Sequence, residues 1–138
     1  MEILTTLHGH NRWLIVIFAL LAIVFLILNR KDSTEYKKST KFFGSLYAYF
    51  LVFQFLIGLL LFFPKAQSLN WDMSVLRIQF EHATTMILAI GIAHSAAAWK
   101  KLEPSKRINN TLIAYVVSLG LIFLGVIRIG GMSVWTGS

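Results

Sequence analysis

The sequence predicts an all-α fold: an integral membrane bundle of four helices running up and down, antiparallel. Three observations carry that expectation. Of 138 residues, 57% are hydrophobic and only 14% charged, which leaves little polar surface for a water-facing shell. Four stretches hold no formally charged side chain: Trp13 to Asn29, Phe42 to Pro64, Ala83 to Trp99 and Ile108 to Ile127. Each is about as long as a helix needs to cross a hydrocarbon layer of roughly 30 Å. Finally, nine of the thirteen basic residues fall in two of the connecting segments, as expected where alternate loops share one side of a membrane.

The chain therefore reads as one domain with spans at about 10–29, 42–64, 78–99 and 108–129. The first apolar run is not read as a cleavable leader, because its basic cluster follows the run instead of preceding it. That cluster, Arg30, Lys31, Lys37, Lys38 and Lys41, fills the first loop. Span two is rich in phenylalanine and carries Gln54, Tyr47 and Tyr49, which suit hydrogen bonds between helices better than a quinone pocket. Pro64 is expected to end it, and Trp71 to sit at the interface beyond. Span three opens at Arg77, Glu81 and His82 and continues through Met86, Ala89 and Ala93. The third loop holds Lys100, Lys101, Lys106 and Arg107, and Pro104 with Ser105 as a cap is expected to start span four, which ends near Arg128. Gly44, Gly58, Gly91, Gly120 and Gly125 would let helices approach closely.

The net charge of +7 is topological on this reading, and nucleic acid is not an expected partner; the lipid bilayer is. The positive-inside rule puts loops one and three in the cytoplasm and both termini outside. The chain has no cysteine, so no disulfide or thiolate metal site is available. Histidine and carboxylate must do any ligation.

The stretch "LHGHNRW" concentrates that chemistry. His8 and His10 head the first span at the same depth as Glu81 and His82 at the head of the third, since both spans start outside. Two residues are about 200° apart on a helix, so His8 and His10 cannot share one partner. His10 is the expected one, because the stripe below it, Leu14, Ile17, Leu21 and Val24, is uniformly apolar and suits a bundle interior. Two neutral imidazoles facing each other across an apolar bundle are what a low-spin haem iron needs, so one haem b held by His10 and His82 is the leading expectation. His94 lies twelve residues from His82, about 120° around and about 18 Å along a helix, so it is assigned a packing role, with Ser95 or Ser118 as the expected hydrogen-bond partner. Arg12, Arg77 and Arg128 gather where the topology rule expects few cations; the acids Glu2, Asp72 and Glu81, or a bound anion such as haem propionates, a quinone head group or a phospholipid phosphate, would hold them. Alternatives are a copper or zinc site built from His8, His10, Glu81 and His82, and a cofactor-free accessory subunit.

The "LHGHNRWLIV" opening, the "FEHATTMIL" start of span three and the four-span plan resemble the small bacterial four-helix membrane proteins labelled cytochrome b-like, found especially among Bacteroidetes. His10, Arg12, Trp13, Glu81 and His82 match the residues of that pattern. The resemblance implies a haem-binding electron carrier or cytochrome subunit of the bacterial inner membrane, with other membrane redox subunits or quinone as partners. It does not extend to the quinone mechanism of the main quinol-oxidising cytochrome b.

The topology is open to a direct check. A reporter fused at residue 36 should show cytoplasmic activity and one fused at residue 138 should not; cytoplasmic activity at both positions would overturn the shared outer site.

Overall fold

A computed structural model describes residues 1–137. The chain is a bundle of four long helices: α1 (Glu2–Lys31), α2 (Lys38–Ser68), α3 (Met73–His94) and α4 (Pro104–Gly130), followed by a short α5 (Ser133–Thr136). α3 tightens into a 3₁₀ turn over Ser95–Trp99. No strand occurs among the described residues. All four long helices are long and apolar enough to cross a bilayer, and large apolar side chains such as Ile17, Val24, Leu60 and Leu124 cover their outward faces. Such a surface is compatible with lipid contact.

α1 neighbours α2 and α4, and α3 also neighbours both, so α1 and α3 face each other across the bundle diagonal. One end carries the basic loops; the other carries the start of α1, the α2–α3 turn and α5. Several boundaries differ from expectation. α1 begins at Glu2, so both early histidines lie on the helix. α2 runs through Pro64 to Ser68. Proline lacks the N–H that would bond the Leu60 carbonyl, but so near a helix end the helix continues past the missing bond. Ser105 does not cap α4; Pro104 opens it at the first helical position, where no amide donor is required. α3 is capped by Asp72, whose Oδ1 accepts from the Ser74 amide at 2.9 Å. The Ser74 hydroxyl, which donates to the same oxygen at 2.6 Å, and after it the amide hold the Asp72 carboxyl below its usual range, so the contribution of the cap is present at neutral pH and lost as pH falls through the lowered value.

The inward face of α1 is the main correction. The stripe through Leu14, Ile17 and Val24 points outward, these residues being 41%, 49% and 48% exposed. The buried face instead carries Asn11, Ile15, Ala19, Ala22, Leu26 and Asn29, spaced three and four apart. Small side chains permit close approach of neighbouring helices, while bulky ones are as well solvated by lipid as by protein. The stripe expected of α3 does face inward: Ala89 and Ala93 are buried and Met86 packs against the core. A side chain added at Gly44 would stand 2.7 Å from the Tyr115 hydroxyl, whereas Gly91 and Gly120 meet nothing.

Hydrogen bonds tie this core together in layers. At mid-bundle the Ser118 hydroxyl donates to the Ala89 carbonyl at 2.8 Å and pairs with the Tyr47 hydroxyl at 2.7 Å, joining α4 to α3 and α2. At the basic end Asn29 is fully engaged. Its Nδ2 donates to the carbonyls of Asp32 at 3.1 Å and Glu35 at 2.9 Å, and its Oδ1 accepts from the Lys37 amide at 3.0 Å and the Thr40 hydroxyl at 3.0 Å. This buried amide writes the path of the first loop. Asn29→Ala should therefore lower stability by about 2 to 4 kcal/mol, since it strands several polar groups at once. Thr40→Val should cost about 1 kcal/mol, and unfolding in mixed micelles measures both.

Candidate functional site

At the end opposite the basic loops, the first two turns of α1 bring His8 to the bundle diagonal. There its ring faces that of His82 from α3, with centroids 6.5 Å apart and planes at 69°. The helical face that buries Asn11 and Ile15 carries His8 with it, because positions 8, 11 and 15 share one side of the helix. Gly58 on α2 makes the room: a side-chain carbon there would lie 3.4 Å from His8 Cε1.

His10 stands on the other side of α1, exposed, with its Nδ1 donating to the Thr6 carbonyl one turn back at 2.8 Å. The expected pairing of His10 with His82 is thus replaced by His8 with His82. Its physical reason is the reversed stripe described above. His94 is likewise exposed and bonds the Ile90 carbonyl of its own helix at 2.9 Å, reaching neither Ser95 nor Ser118.

His82 is oriented from α4, where its Nδ1 lies 2.9 Å from the Gly125 carbonyl oxygen. A carbonyl only accepts, so Nδ1 carries the proton and Nε2 of the neutral ring keeps its lone pair. Gly125 is what allows this approach: a side-chain carbon there would stand 3.2 Å from Thr85 Cγ2 and closer still to Met86 Cε. His8 is steadied through its backbone, whose carbonyl accepts from Gln54 Nε2 at 2.9 Å. Gln54 Oε1 in turn accepts from Asn11 Nδ2 at 2.8 Å, and the same Nδ2 reaches the Phe50 carbonyl at 3.2 Å. Gln54 accordingly joins α2 to α1, as expected, while Tyr49 is 67% exposed. Two buried atoms here, His8 Nδ1 and Asn11 Oδ1, have no hydrogen-bond partner among the described residues.

The charged residues divide between two places. Glu81 accepts from Arg77 Nε at 2.9 Å through one oxygen and from Arg128 Nε through the other, which ties α3 to α4. Arg12 lies elsewhere. Its Nη2 donates to the Val134 carbonyl at 3.2 Å, and its guanidinium sits 5.5 Å from the ring of Trp13 and 5.2 Å from that of Trp135. Glu81 is therefore turned to the arginines, and the set His8, His10, Glu81 and His82 does not converge on one point. Among the described residues no three histidine or acidic side chains are grouped as metal ligands would be.

Asn11 and the Gly125 carbonyl are the contributors that sequence reasoning missed, while Gly58 was expected as a point of close helix approach. Asn11 carried a usable signal: a lone amide in an apolar helix, three residues after His8, marks an inward face. No family model, curated protein or solved structure matches the chain.

The tautomer follows directly from this geometry. Nitrogen-15 spectra of the imidazoles at neutral pH should show His82 as the Nδ1–H form. Gly125→Val, which drives a branched side chain between α3 and α4, should broaden or shift that signal and cost about 1 to 3 kcal/mol.

Proposed function

We propose that this chain is a b-type haem protein of the bacterial cytoplasmic membrane, an electron carrier or cytochrome subunit, holding one haem between His8 and His82 at the end of the bundle outside the cytoplasm. The observation that supports it is the facing pair of imidazoles from diagonal helices, 6.5 Å between centroids.

The residues present fit such a group. The imidazoles of His8 and His82 would hold a low-spin b-type haem, which when bound would supply reversible storage of one electron. The Gly125 carbonyl sets the tautomer that leaves His82 Nε2 free to ligate and makes the ring more basic. Gln54 and Asn11 fix the backbone of α1 beside His8, so the spacing between the two rings is held by α2 as well as by α1. Gly58 keeps the flank of the His8 ring free of a side chain. Ile15, Leu76 and Ala89, all buried, exclude water from the helical faces that carry them. Arg77 and Arg128 are weaker candidates for propionate partners than their number suggests, because Glu81 offsets one of their two charges. Exchange would be with other membrane redox subunits or quinone.

The absorption spectrum of the purified protein tests the reading. His8→Ala and His82→Ala should each abolish the sharp low-spin band of the reduced protein, while His10→Ala and His94→Ala should keep it. Survival of the full band in His82→Ala would sink the assignment. A colourless preparation that also takes up no added haem would favour the accessory-subunit reading, and stoichiometric copper or zinc in it would favour the metal-handling one.

A further inference from the structure

A second site lies on the outside of the bundle, in the groove between α3 and α4. Its upper rim is the Arg77–Glu81–Arg128 cluster, and both arginines bind the carboxylate through Nε alone. The terminal nitrogens of both guanidiniums have no protein hydrogen-bond partner among the described residues. Two cations against one carboxylate leave one positive charge over. Four N–H-bearing nitrogens around a single excess charge are suited to the oxygens of a phosphate, which arginine binds in a forked geometry.

Below the cluster the groove is apolar. Phe80, Thr84, Leu121 and Leu124 line it, and its volume is about 690 Å³. Leu121 lies two helical turns from Arg128, so the apolar floor extends about 10 Å from the charged rim toward the middle of the span. Arg77 is in the second turn of α3 and Arg128 is two residues from the end of α4. Charge at the helix ends and an open apolar channel beneath it reproduce the profile of a phospholipid: phosphate at the rim, acyl chain along the floor.

We propose that this groove binds one anionic phospholipid of the phosphatidylglycerol class, phosphate on the terminal nitrogens of Arg77 and Arg128 and the first part of an acyl chain against Phe80, Leu121 and Leu124. The net positive rim selects against a zwitterionic lipid, whose own cationic head would meet two arginines. The lipid also gives the arginines a reason to stand at the end of the bundle where few cations are expected. This site shares no ligating side chain with His8 and His82 and does not depend on a haem being bound.

Native mass spectrometry of the full chain from mixed micelles holding equal phosphatidylglycerol and phosphatidylcholine tests it. The parent protein should retain one phosphatidylglycerol with about tenfold preference, the loss of one charge-assisted pair being worth about that factor. Arg77→Gln with Arg128→Gln should bring the two lipids to parity. Because that variant also unpairs Glu81, Leu124→Trp serves as the second probe: it leaves the ion pairs in place, fills the floor, and should lower lipid retention. Equal retention of both lipids by the parent, an unchanged preference in the arginine variant, or unchanged retention in Leu124→Trp would each overturn the proposal. Complete displacement of the lipid by an equal concentration of inorganic phosphate would do so too, marking a site for the free anion.

Discussion

In a bilayer the surroundings are as apolar as the core, so burial of apolar surface does not choose which face of a helix turns inward. What chooses is the close approach that small side chains permit and the need of every polar group to find a partner inside the protein. The whole bundle follows from that constraint. α1 buries two asparagines and two alanines beside Ile15 and Leu26 and turns Leu14, Ile17 and Val24 outward. The position of His8 is one consequence, for it shares the face of Asn11 and is carried inward with it.

The partners found by the polar side chains are distributed through the bundle. Asn29 works at the basic end, Tyr47 and Ser118 in the middle, Asn11 with Gln54 and His82 with Gly125 near the other end. Together they link α1 to α2, α2 to α4 and α4 to α3. Individually such bonds contribute about 0.6 kcal/mol in membrane proteins, so their larger effect is on register. A slip of α1 by one residue would remove the bond from Asn11 to Gln54 and rotate His8 by about 100° away from His82.

The architecture was legible in the sequence because charge-free runs of span length leave few other readings, and the inward stripe of α3 was legible because its small residues are contiguous in register with His82. Which of His8 and His10 turns inward was misread for a physical reason. A soluble-protein intuition takes the apolar stripe as the interior, and below His10 that stripe is unbroken. Below His8 the same inspection finds Asn11, Ala19 and Ala22, which is the membrane signature of an interior. The helix ends at Pro64 and Ser105 were misread because a single residue was asked to decide a boundary that tertiary packing carries across. The Gly125 carbonyl could not have been foreseen, since a backbone oxygen has no letter in the sequence.

The setting of Arg12 has a consequence in time. Its charge belongs to the first helix to be inserted, yet the carbonyl of Val134 and the ring of Trp135 that receive it follow α4 in the chain. Throughout synthesis of α2, α3 and α4 the guanidinium has Trp13 beside it and neither of those later partners. Folding of α5 back against α1 and Phe123 is therefore a closing step of biogenesis, one that rewards a finished bundle over a half-built one. A chain stalled after α3 would present an unsheltered cation near the membrane surface.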